Sequence, residues 1–266
     1  MHLLARRRKE AGFTRTEALA VLTTVLLLAG LFLSAGAGTR QTNENVVCRS
    51  NLRHLAQAWQ AYALDHGDRF VGSPEGAGAQ SAADGEYWAT GWLDWATSGQ
   101  SANQANVQVP AFVPYVGRNP RVFHCPSDRY LSAPQVARGW SARVRSYSMN
   151  YQFGPVPQDI TNLRRFERFT DVPETSKFFV FVEEHPDSIN DPVFITSLGG
   201  PTWADLPASF HDRSANFAMA DAHVETHRWV SERTIIPVRF IFPIVTVSPT
   251  DPDFRWVFER TSVKKP

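Results

Sequence analysis

An apolar run from Ala18 to Leu33, with a lone acid at its leading edge and a basic cluster ahead of it, constrains this chain more than any other feature. The cluster is Arg6-Arg7-Arg8-Lys9, the acid is Glu17, and Gly12-Phe13-Thr14-Arg15-Thr16 stands between them. The run is short for a full membrane crossing, but Ala35 to Gly38 extends it. At about 1.5 Å per residue, positions 13–38 are then long enough to cross a hydrocarbon core with some tilt. A carboxylate at the edge of hydrocarbon costs about 2.5–3.5 kcal/mol even on the lenient insertion scale, so Glu17 needs a partner. Because the basic cluster lies on one side only, the positive-inside rule keeps the N-terminus cytoplasmic and sends everything beyond about residue 38 outward. The expectation is an inner-membrane, single-pass protein with an extracytoplasmic globular domain.

The junction Gly12-Phe13 and the acid Glu17 resemble the class III signal of type IV prepilins and type II secretion pseudopilins. That resemblance implies cleavage after Gly12 by a prepilin peptidase and N-methylation of Phe13. It also implies assembly in which Glu17 pairs with a neighbouring subunit's amino terminus. The implied partners are the peptidase, other pilin or pseudopilin subunits, an inner-membrane assembly platform and the membrane. Arg15 and Thr16 depart from the family pattern, where aliphatic residues are commoner, although a long Arg15 stem can snorkel at an interface. Two plainer readings stay open. A secretory signal would use Leu33-Ser34-Ala35-Gly36-Ala37 as its cleavage region, and a simple signal anchor would need no cleavage.

The 266 residues carry a net charge of +1 that is spread along the chain, so neither a nucleic-acid footprint nor an acidic tail is visible. From Cys48 the apolar positions Leu52, Leu55, Ala56, Trp59 and Tyr62 recur at three-four spacing, one stripe of an amphipathic helix. Only Gly36-Ala37-Gly38 separates this stripe from the first apolar run. One long helix is therefore expected from about Phe13 to Asp65, ended at His66-Gly67-Asp68. Positions 72–106 read as a long loop carrying Trp88, Trp92 and Trp95, which cover the Trp59 stripe or form a carbohydrate platform.

Beyond the loop the pattern turns to β. Lys177 to Glu183 reads as a central strand, and Asn216–Ala220 with Val224–Trp229 reads as a hairpin around Asp221-Ala222. Ile235 to Val247 is broken by Pro237 and Pro243 and suits an edge. The expected fold is α+β and pilin-like, with one long N-terminal helix packed on a mainly antiparallel sheet with long loops. Its divisions are a leader over 1–12, a transmembrane half over 13–38, an amphipathic half over 39–66 and a β-rich domain over 67–266.

Further segments resemble the large prepilin-like family abundant in planctomycetes and verrucomicrobia. They are Cys48-Arg49-Ser50-Asn51-Leu52-Arg53, Phe123-His124-Cys125-Pro126-Ser127-Asp128, Arg145-Ser146-Tyr147-Ser148-Met149-Asn150, the stretch Glu184 to Asp191, and His211 with Asp221 ten places on. The family usually has Asp-Gly where this chain has Asp221-Ala222, and Ala costs about 1 kcal/mol at a positive φ. The family implies assembly but no function for the globular domain.

Cys48 and Cys125 are the two cysteines. They are either one disulfide or two buried thiols, and neither has the CxxC or Cys/His spacing of a metal site. No cofactor is required, and calcium is the one candidate: Glu184, Asp187, Asn190 and Asp191 offer hard oxygen donors on one loop. The same residue types also build turns. His223, Glu225 and His227 share a strand face, but the outer two stand about 13 Å apart at 3.3 Å per residue, so they cannot hold one ion. No nucleophile elbow, P-loop or dinucleotide motif occurs, and no enzyme class gains support. The functional expectation is a pilin-like or pseudopilin-like structural subunit of a type II secretion or type IV pilus-like filament. The alternative is an envelope-anchored module that binds glycan or protein.

Overall fold

The computed structural model describes residues 14–80, 85–156 and 159–265, with side chains described for all of these except 28–42. Helix α1 is assigned from Arg15 to Asp65, and the chain divides within it into two compact units, Met1–Asn43 and Glu44–Pro266.

In the first unit, Thr14 and Glu17 start the helix by exchanging hydrogen bonds. The Thr14 backbone N–H donates to Glu17 Oε2 at 2.8 Å, and the Glu17 N–H donates to Thr14 Oγ1 at 3.3 Å. This reciprocal Thr-x-x-Glu pattern satisfies amides that a first helical turn otherwise leaves without partners. Among the described residues, no helix is long and apolar enough to cross a membrane. The reading of 13–38 as a transmembrane half, and with it the single-pass inner-membrane location, is corrected accordingly. So is the pilin-like rod with a membrane-spanning first half, since among the described residues no helix combines the length and the apolarity that a crossing needs. The supported fold is a small α+β protein with a mostly sheet domain.

In the second unit, α1 presents Cys48, Leu52, Leu55, Ala56, Trp59, Tyr62 and Ala63 as a buried stripe. The helix stops at Asp65, where Gly67 and Asp68 take φ of 64° and 70°. The main sheet contains β1 (Tyr147–Asn150), β2 (Phe179–Glu183), β3 (Val193–Phe194), β5 (Ser214–Met219) and β6 (Val224–Arg228) in the order β3-β1-β2-β5-β6. All neighbours are antiparallel except β1 and β3. A second sheet pairs β4 (Thr202–Trp203) with β7 (Val245–Thr246).

The sheet is covered on both faces, which is why β2 is apolar without alternation. Val180 and Phe181 join the α1 stripe, whereas Phe179 and Val182 join Phe217, Met219, Trp229 and residues of the C-terminal helix Pro252–Thr261. A register shift between Phe179 and Phe181 turns two successive side chains to the same face. Trp88 is buried in the α1-side cluster, edge-on to Phe181 with ring centroids 4.9 Å apart.

The hairpin between β5 and β6 uses a three-residue loop. Ala222 N–H donates to Met219 C=O at 2.8 Å, Met219 N–H donates to His223 C=O at 2.9 Å, and Ala222 takes φ 68°. A turn followed by one left-handed residue fits this loop length better than the two-residue form, which needs positive φ twice.

Candidate functional site

The centre of the second unit holds a buried group of four side chains from four places in the chain. Cys48 comes from α1, Cys125 from the segment after Phe123, Glu183 from the end of β2, and His211 from the turn before β5. Cys48 and Cys125 are joined in a disulfide with Cα atoms 5.2 Å apart, 77 positions from one another in sequence. The bridge therefore ties the helix stripe to the segment after Phe123.

Glu183 ends the apolar β2 run as a carboxylate shielded from solvent, and its oxygens are filled by protein donors. His211 Nε2 donates to Oε1 at 2.9 Å, Asn216 Nδ2 to Oε1 at 3.2 Å, and the Asn216 backbone N–H to Oε2 at 2.8 Å. Full desolvation of a carboxylate is tolerable only with such compensation. Asn216 Nδ2 also donates to Asn45 Oδ1 at 2.9 Å, which links the strand to α1. His211 Nε2, the ring nitrogen that faces Glu183, also lies 3.5 Å from Cys125 Sγ. Asp212 and Arg213, the next two residues, take φ of 50° and 61°. Two successive left-handed non-glycine residues cost roughly 1–2 kcal/mol each, a local strain accepted where His211 enters the core.

The oxygen-rich loop from Glu184 to Asp191 is organised by protein groups in several directions. Asp187 accepts from the backbone N–H groups of Arg239 and Phe240 at 2.6 and 2.8 Å. Asp191 accepts from the Gly76 and Val193 N–H groups at 2.6 and 3.1 Å. Asn190 Oδ1 accepts from the Asp191 N–H, and Glu184 Oε1 accepts from Ser188 Oγ at 2.6 Å. Two buried arginines bring positive charge to this loop: Arg145, with Nη2 donating to Asn190 C=O at 2.7 Å and Nη1 to Ser148 Oγ at 3.1 Å, and Arg143, with Nη1 donating to Pro186 C=O at 2.9 Å. Burial pushes the Glu184 carboxyl up to about 8 and Asp191 to about 6, despite the opposing bonds and Arg145. Asp205, beside them, is raised well above the usual carboxylate range by burial and then by its acidic neighbours.

The histidines of the β5–β6 hairpin serve separate carboxylates. His223 Nδ1 lies 2.6 Å from Asp221 Oδ1 and its Nε2 lies 3.2 Å from Glu225 Oε1. Burial lowers His223, but these two acids outweigh it and leave it raised. His227 stacks on Trp256 with ring centroids 4.0 Å apart, and its Nε2 is 3.8 Å from Asp253. His211 and Asp221 flank β5 at opposite ends.

Gly12 and Phe13 lie outside the described residues. Glu17 is exposed, and its carboxyl is lowered by the Thr14 backbone hydrogen bond first and the Thr14 hydroxyl second. Sequence reasoning missed the meeting of Cys125, Glu183 and His211, and the role of Arg145. An acid closing the apolar run Phe178–Val182 was the one legible hint of a partnered buried charge. No family model, curated protein or solved structure matches the chain.

Proposed function

We propose that the chain is a structural subunit of a pilin-like filament, processed between Gly12 and Phe13 by a prepilin-type peptidase and assembled through its N-terminal helical stretch. The observation that carries this reading is the surface of 15–27. Leu19, Val21, Leu22, Val25, Leu26 and Leu27 are each more than half exposed, on a segment that belongs to a separate unit from the folded domain. A contiguous apolar surface of this kind is stable in water only when another surface covers it. Equivalent helices of neighbouring copies supply such a cover without any membrane-spanning helix.

Glu17 supports the same reading in a modified form. Its carboxylate already caps its own helix through Thr14, so a neighbour's amino group would add to an occupied acceptor that has further lone pairs available. The Cys48–Cys125 bridge suits a chain that matures under oxidising conditions. The alternative ligand-binding reading draws no support from Trp88, whose indole is buried and donates to Ser73 Oγ and Pro192 C=O at 3.1 and 3.2 Å. Intact-mass analysis of the mature protein tests the proposal. A chain beginning at N-methylated Phe13 supports it, and a start after residue 35 overturns it.

A further inference from the structure

The disulfide is one of two closures that the same buried side chains can make. Both cysteine sulfurs, a Glu183 oxygen and a His211 ring nitrogen all lie within 4.8 Å of one another, and all four residues are buried. Two thiolates, an imidazole and a carboxylate form a borderline-soft donor set of the kind that holds Zn²⁺ tetrahedrally. We propose that the dithiol form of this chain, the form that exists before Cys48 and Cys125 are oxidised, binds Zn²⁺ through both sulfurs, His211 Nε2 and a Glu183 oxygen.

The spacing fits the ion with small movements. Zinc–sulfur and zinc–nitrogen bonds of about 2.3 and 2.0–2.1 Å at a tetrahedral angle place the two ligand atoms about 3.5 Å apart. The Cys125 Sγ to His211 Nε2 distance is 3.5 Å. His211 Nε2 and Glu183 Oε1, now 2.9 Å apart, would open to about 3.3–3.4 Å as the imidazole exchanges its proton for the metal. The sulfurs must separate to about 3.8 Å, which a dithiol allows and a disulfide forbids, so ion and bridge exclude one another.

No electron moves in loading the site. Two thiols and one Zn²⁺ give a zinc dithiolate and release two protons, and the Nε2 proton moves to Nδ1 of the same ring, which has no hydrogen-bond partner among the described residues in the bridged form. Two thiolates and a carboxylate exceed the ion's charge by one. Asn216 is placed to offset this, since its backbone N–H and Nδ2 already donate to Glu183 at 2.8 and 3.2 Å. The bond from His211 to Glu183 explains the packing of the bridged form, but it does not require a sulfur beside the same nitrogen.

The test is to reduce the full chain with a phosphine, remove the reductant without oxygen, and titrate with Co²⁺ as a spectroscopic stand-in for zinc. The expected result is cobalt–thiolate charge-transfer absorption with tetrahedral d–d bands, saturating at one ion per chain and bleached by Zn²⁺. The oxidised chain should show neither feature. His211→Gln and Glu183→Gln should each weaken binding by at least about tenfold, the lower end of what even outer-shell losses cost at metal sites. If reduction unfolds the chain, added Zn²⁺ should restore its near-ultraviolet circular dichroism, because binding energy is then folding energy. Absence of the cobalt bands together with no zinc-driven refolding overturns the proposal. Binding that is unaffected by both His211→Gln and Glu183→Gln overturns it as well, since the ion would then rest on the cysteines alone.

Discussion

Replacing Cys48 and Cys125 together by alanine should destabilise the second unit by several kcal/mol. The bridge closes a loop of 77 positions, and the chain-entropy relation then assigns about 4.5 kcal/mol to the constraint on the unfolded chain at 25 °C. Both cysteines are buried in the main core cluster, so the deleted sulfur atoms add a packing loss to this figure. For a domain of this size each kcal/mol shifts Tm by about 2–4 °C, which predicts a fall of roughly 10–18 °C. Urea unfolding followed by tryptophan fluorescence, on the oxidised wild type and the double variant, measures both midpoint and slope. The slope should rise in the variant, because an unbridged denatured chain expands and exposes more surface. A loss under about 1 kcal/mol with an unchanged slope would refute the reasoning, since the bridge would then constrain neither ensemble. Thiol labelling of the unreduced, denatured wild type checks the premise, and two reactive thiols would remove it.

Ala222→Gly should stabilise the hairpin by up to about 1 kcal/mol, because Ala222 holds φ 68° and glycine takes that conformation without a Cβ clash; a destabilised variant in thermal melts would count against the turn geometry. Glu184 and Asp205 both have folded-state values raised above their unfolded ones, chiefly by burial, so the stability they confer is complete below about pH 4 and is lost as pH rises, for Glu184 through about 8. Asp205→Asn, which can still accept from the Ile195 N–H, should flatten that decline in chemical unfolding at pH 5 and pH 8, and a wild type equally stable at both would contradict it. Glu17→Ala should leave cleavage after Gly12 intact but lower recovery of the tagged variant in oligomers crosslinked with wild type. Normal incorporation would dismiss any role for Glu17 in the subunit contact.

The helix stripe from Cys48 to Tyr62 was legible because a helix repeats its buried face every three to four residues, and each of those side chains enters the main core cluster through that one periodicity. The β2 run was legible for a related reason, since a strand covered on both faces has no polar position to spare. Other features resisted reading. The register shift that sends Val180 and Phe181 to one face depends on the pairing of β2 with β5, which the local pattern does not contain. The loop from Glu184 to Asp191 shows its oxygen donors in sequence, whereas the arginines that contact it, Arg143 and Arg145, come from a segment about 40 positions away that no local pattern connects to it. The apolar run near the N-terminus suggested a crossing by composition, whereas among the described residues no helix is long and apolar enough to make one.

Local chemistry, carried by neighbouring residues, therefore determined the amphipathic helix, the central strand and the hairpin. Tertiary structure alone decided that Cys48, Cys125, Glu183 and His211 share one buried point. His211 stands 28 positions from Glu183 and 86 from Cys125, and no periodic pattern links them. The cysteines are joined by their bridge, and what joins His211 to Glu183 is the cost of burying a carboxylate without donors, which groups brought from elsewhere in the fold offset.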